Sequence, residues 1–134
     1  MDNGKNILEQ LFVDEDEVTE KLIAELLSPN LGLSKTADKV VPKARFSGLS
    51  QTERLLLYLL ARHAMVRLKV PGASLEAVTA RIAEESLLPQ KSCGETLSRL
   101  KASGLVGKNK AGYFVPTHSL LRVSEALRKG NKNK

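Results

Sequence analysis

The stretch Ile82 to Val115, IAEESLLPQKSCGETLSRLKASGLVGKNKAGYFV, decides the reading of this chain. Pro89 suits a first helical position, and Cys93, Leu97 and Leu100 follow at i, i+4 and i+7 before Gly104, which predicts a helix over 89–103. Beyond it, LVGK and YFVP flank Asn109 to Gly112 (NKAG), turn chemistry that predicts a two-stranded hairpin. Upstream, Ser74 is a candidate N-cap, and Leu75, Val78 and Ile82 at i, i+3 and i+7 predict an amphipathic helix ending near Glu85. Two helices joined by a short turn and followed by a hairpin are therefore expected.

Working outward, Ser50-Gln51-Thr52-Glu53 has the pattern of a capping box, so a helix starts there. Its run Leu55 to Leu60 (LLLYLL) is enclosed on most sides, with Arg54, Arg62 and Arg67 at wetter edges. Val66 to Val70 (VRLKV) alternates like a short strand closed by Pro71-Gly72. Ser119 opens a final helix carrying Leu120, Val123 and Leu127, and 130–134 read as a disordered basic tail. Toward the amino terminus, Asn6 to Phe12 suggests a short helix and Asp14 to Leu27 a stronger one, with acids at its start and Val18, Leu22, Ile23 and Leu26 on one face. Leu33 to Leu49 holds no period, is interrupted by Pro42 and Gly48, and has four basic residues among five charges. The expected organisation is an acidic helical extension over 1–28, a basic linker or arm over 29–49, a domain over 50–129 and the tail. The fold class is mainly α with a small β-hairpin (α+β).

The chain has 134 residues, 42% hydrophobic, 27% charged and only 4% aromatic, with no tryptophan. One domain with an aliphatic core fits that length, and a large multidomain enzyme does not. No apolar run approaches the roughly 18 residues that cross a bilayer, and the first ten residues lack a basic-then-apolar leader. A cytoplasmic protein with no membrane partner is expected. One cysteine and two histidines provide neither a disulfide framework nor a structural zinc site. No acid pair, nucleophile elbow or glycine-rich phosphate loop appears, so no catalytic residue, cofactor or metal is expected, and the chain is read as a non-enzyme.

Net charge is +6, but its distribution matters more. Residues 1–28 hold eight acids against two lysines, while 29–134 hold nineteen basic residues against seven acids, a net of +12. A domain so basic attracts polyanions through a sequence-independent, salt-sensitive term.

The order helix, short strand, helix, turn, helix, hairpin, helix over 50–129, together with the quoted segment, resembles the winged helix-turn-helix family of DNA-binding domains, of the type found in prokaryotic transcription regulators. Leu87 and Leu88 stand in the turn where many members place a glycine. The resemblance implies that helix 89–103 enters the major groove, where Gln90, Lys91, Ser92, Gly94, Glu95, Ser98 and Arg99 face outward. Gln90 suits adenine, Lys91 and Arg99 suit guanine or phosphate, and Glu95 suits cytosine N4 or the orientation of a neighbour. Lys108 and Lys110 at the hairpin tip are phosphate candidates within a wing over 105–116, and Lys35, Lys39, Lys43 and Arg45 form a candidate groove-tracking arm. Arg128, Lys129, Lys132 and Lys134 are candidates for the same role from the tail.

The expected function is that of a DNA-binding protein, a transcriptional regulator with double-stranded DNA as partner. A homodimer is expected, because the outer helices carry apolar faces needing cover and twofold symmetry matches a palindromic site. Packing of those faces within the chain is the alternative to that dimer. A protein partner for the acidic amino-terminal helix is a further possibility. Two other functions fit the same fold: an interaction module within a larger assembly, and a replication, partition or chromatin protein with low sequence preference. Cys93 sits at an inward position where a packing role outweighs a redox one, and His63 and His118 read as packing or cap residues.

Overall fold

Ser50 starts the central helix as expected: its hydroxyl accepts from the Glu53 amide at 3.2 Å while the Glu53 carboxylate accepts from the Ser50 amide at 3.2 Å. In the computed structural model, which describes residues 8, 11, 15–35 and 38–132, the molecule is mainly helical with two small antiparallel hairpins. The helices are α1 (Glu15–Leu27), α2 (Gln51–Arg67), α3 (Thr79–Glu85), α4 (Gln90–Ala102) and α5 (Leu120–Lys132). The strands are β1 (Leu31–Leu33), β2 (Val40–Pro42), β3 (Gly107–Asn109) and β4 (Gly112–Phe114). Every residue from Leu55 to Ala61 is buried in α2, because α1, α3, α4 and α5 all pack on it. α1 also packs on α5 and buries Ile23 and Leu27, while Leu22 and Leu26 stay half-buried.

Five expectations about local structure are corrected, the last of them in the segment after α2. The stretch read as a linker is folded: β1 pairs with β2 in the register Leu31↔Pro42, Gly32↔Val41, Leu33↔Val40, a 3-10 turn spans Ala44–Gly48, and Leu31, Val40 and Phe46 are buried. Strands of three residues are too short to display a period, so their apolar pattern looks random. Arg62 is not at a wet edge; its side chain is 0% exposed. Ser74 caps nothing helical, since its hydroxyl donates to Glu76 Oε1 at 2.6 Å and accepts from the Glu76 amide at 3.2 Å, and α3 begins only at Thr79. The carboxyl-terminal helix is backbone-helical through Lys132, past the expected limit at 129. The helix suggested over 6–12 lies outside the described residues apart from Leu8 and Leu11, both exposed.

The strand expected over 66–70 does not form, and its failure is instructive. α2 runs through Arg67 and ends at Leu68, after which Lys69 takes φ +59. Val70 N donates to Met65 O at 3.0 Å and Lys69 N to Val66 O at 3.1 Å, the paired 6→1 and 5→2 bonds of a Schellman cap. The alternation in VRLKV belongs to a helix end. The backbone that meets the second hairpin comes later, as a single bridge in which Ala77 exchanges both backbone hydrogen bonds with Tyr113, at 3.0 and 2.9 Å. Gly112 serves this contact: a Cβ there would lie 2.2 Å from Ala77 O, and φ is +131. No side chain fits at this bridge.

Candidate nucleic-acid interface

α3 and α4 pack on each other and are joined by residues 86–89. The turn is a second Schellman cap: Leu88 N reaches Ala83 O at 2.9 Å, Leu87 N reaches Glu84 O at 3.3 Å, and Leu87 sits at φ +60. Leu87 therefore occupies a left-handed position that glycine fills without strain. Its carbonyl accepts from Arg54 Nη1 at 3.2 Å, which ties the turn to α2. Pro89 is the N-cap rather than the first helical residue, with ψ +137. Cys93, Leu97 and Leu100 are buried as their spacing predicts, and Thr96, which the spacing does not single out, is buried with them. Burial pushes the Cys93 thiol up to about 11, so its thiolate is scarce near neutral pH.

On the other face Gln90, Lys91, Glu95, Ser98 and Arg99 are exposed, together with Lys101. Ser92 and Gly94, expected to face outward, are only half-exposed. Ser92 Oγ accepts from Gln51 Nε2 at 2.7 Å and donates to Pro89 O at 3.2 Å. Gly94 lies toward α3, where a Cβ would stand 3.7 Å from Thr79 Cγ2 in ordinary contact. Thr96 Oγ1 donates to Gln51 Oε1 at 3.0 Å and accepts from Arg99 Nη2 at 3.3 Å. Sequence reasoning misses Gln51 and Thr96: the local pattern gives Gln51 only a place inside the capping box, and nothing in it points to a helix forty residues on.

In the β3–β4 hairpin the register is Gly107↔Phe114, Lys108↔Tyr113 and Asn109↔Gly112, leaving Lys110 and Ala111 as the loop. Both lysines are exposed, and the Lys108 ammonium sits 5.1 Å from the Tyr113 ring centroid, a cation–π contact. Asn109 shapes the loop by accepting from Ala111 N at 2.8 Å and donating to Glu76 Oε2 at 3.0 Å. Hydrogen bonds from Ser74 and then Asn109 hold the Glu76 carboxyl below its ordinary range, placing a fixed negative charge beside the lysines.

The basic residues of the first hairpin region are not an arm. Lys35 and Lys39 are exposed on either side of Asp38, Arg45 is exposed in the 3-10 turn, and Lys43 Nζ donates to Ser28 O at 2.6 Å beyond the end of α1. Asp38 fixes the position of this hairpin: its carboxylate oxygens lie 2.9 and 3.0 Å from Arg62 Nη2, and it pairs with Arg81 Nη1 at 3.0 Å. Arg62 also donates to Ser74 O at 2.6 Å, and Arg81 pairs with Glu85 at 2.6 Å. Tyr58 donates to Glu85 Oε2 at 3.1 Å, and burial, with the Glu85 charge added, pushes its phenol up to about 12. Two acids and two arginines balance, so this cluster is a brace joining the first hairpin to α2 and α3.

Comparison with family models, curated proteins and solved structures finds no match to this chain. Among the described residues, no helix is long and apolar enough to cross a membrane.

Proposed function

We propose that this chain is a winged helix-turn-helix protein that binds double-stranded DNA and regulates transcription. α4 enters the major groove and the β3–β4 hairpin lies against the adjacent backbone. The observation that carries this reading is the packed pair α3–α4, its tight turn braced by Arg54, with Gln90, Lys91, Ser98 and Arg99 exposed on α4, followed by a hairpin that exposes Lys110 in its loop and Lys108 on β3 rather than at the expected tip. The net +12 of residues 29–134 adds the nonspecific attraction that a DNA-binding surface needs. Glu95 works against phosphate affinity, and its place on this face suits a cytosine amino group or a neighbouring side chain.

Gln90, Lys91, Glu95, Ser98, Arg99, Lys108 and Lys110 are the surface residues available to DNA in this arrangement. Ser92 serves by positioning, and Lys35, Lys39, Lys43 and Arg45 belong to a folded hairpin region rather than an arm. A homodimer on a palindromic site belongs to the same proposal. Its contact lies elsewhere than Ile23 and Leu27, which the chain buries itself. Binding to random and to selected duplexes across a salt series tests the proposal. A regulator prefers the selected duplex, a low-specificity chromatin or partition protein binds both alike, and a protein-interaction module binds neither.

A further inference from the structure

Gln51 of α2 is hydrogen-bonded to Ser92 and Thr96 of α4, and the hydrogen bonds through it have a single direction. At one end the guanidinium of Arg99 has no lone pair to offer, so it donates to Thr96 Oγ1. The Thr96 hydroxyl then directs its one proton to Gln51 Oε1. At the other end the Pro89 carbonyl has only lone pairs, so Ser92 donates to it, which leaves Ser92 Oγ to accept from Gln51 Nε2. Both ends therefore demand the same orientation of the Gln51 amide, oxygen toward Thr96 and nitrogen toward Ser92. The chain Arg99→Thr96→Gln51→Ser92→Pro89 spans nearly the length of α4, and its middle link comes from another helix.

From this we infer that Gln51 is a positioning residue for Arg99: it holds the Thr96 hydroxyl so that the Arg99 guanidinium is presented in one orientation on the exposed face of α4. The inference rests on the reading of α4 as the helix that reads DNA, and there the consequence is specificity. A bidentate arginine contact to guanine needs both N–H vectors aimed in one plane, and a guanidinium tethered through one Nη reaches that plane with less freedom to lose. Gln51 and Thr96 touch no base themselves.

The test uses the full chain and duplexes selected from a random library by the wild type. Arg99→Ala identifies the base pair that Arg99 reads, as the position whose preference disappears. Gln51→Leu and Thr96→Val, the second nearly isosteric and so retaining the packing, should each lose about five- to tenfold of the preference at that base pair. The salt slope and affinity for random duplex should stay at the wild-type level, because every phosphate-binding side chain is retained. In the Arg99→Ala background neither substitution should alter preference further. A loss spread evenly over all duplexes, or one that persists without Arg99, overturns the positioning role, as does an unchanged preference in folded Thr96→Val. Failure of the wild type to bind any duplex overturns the reading of α4 itself, and the positioning inference with it.

Discussion

Replacing Asp38 by alanine should destabilise the protein by about 3 to 5 kcal/mol, the range for removing one partner of a buried ion pair. Arg62 is the reason. Its side chain is 0% exposed, and without Asp38 its five N–H donors keep only Ser74 O at 2.6 Å and the Tyr58 hydroxyl at 3.4 Å. The converse change, Arg62→Met, should cost only about 1 to 2 kcal/mol, because Asp38 is 16% exposed and keeps Arg81 Nη1 at 3.0 Å, the methionine fills the aliphatic volume, and of the other two acceptors the Tyr58 hydroxyl keeps its bond to Glu85 while the Ser74 carbonyl loses its Arg62 donor. The double variant should be more stable than Asp38→Ala alone, since it removes the stranded charge. Urea and thermal denaturation followed by circular dichroism at neutral pH reads all three. For a chain of this length a loss of about 3 kcal/mol lowers Tm by roughly 10 °C. An Asp38→Ala protein within 1 kcal/mol of wild type, or a double variant no better than the single one, would refute the brace.

Three further outcomes are expected. Lys108→Ala combined with Lys110→Ala should weaken binding to all duplexes alike and reduce the salt slope by about 0.9 for each phosphate that is no longer neutralised; an unchanged slope removes the hairpin from the interface. His63 is buried with Nε2 donating to Val115 O, and burial holds its pKa below the ordinary 6.5. Below that pH the unfolded chain binds a proton that the folded chain refuses, so stability should fall as pH drops from 6.5 and be unaffected by this group above it. A His63→Phe variant with the same stability slope between pH 7 and 5.5 would contradict this. Leu87→Gly should be neutral or stabilising by up to about 1 kcal/mol through relief of the left-handed backbone, whereas Leu87→Val, β-branched at φ +60, should destabilise by about 1 kcal/mol or more. Denaturation of the pair decides, and a Leu87→Gly protein clearly less stable than wild type would mean that the leucine side chain packs where the turn needs it.

What the sequence by itself determined are the features whose cause is local. The capping box at Ser50, the apolar enclosure of Leu55 to Leu60, the buried stripe Cys93–Leu97–Leu100 and the glycine that ends α4 each follow from a few neighbouring residues. So does the hairpin around Lys110 and Ala111. Helix ends show where locality fails. Gly104 marks its cap, but Lys69 and Leu87 form the same Schellman bonds without glycine, so VRLKV has the pattern of a strand and the α3–α4 turn lacks its usual sign. In the tertiary structure both exposed residues take the left-handed conformation while the capping hydrogen bonds form around them, which no window of sequence reveals. The tertiary structure also decided everything that depends on distant partners: that Leu31 and Val40 fold into a hairpin, that Arg62 is buried because Asp38 and Ser74 meet it, and that Ser92 and Gly94 turn from the exposed face. Gln51 is the sharpest case. Its neighbours in sequence give it a place in a capping box, while its two hydrogen bonds lie 41 and 45 residues away, set by how α2 crosses α4.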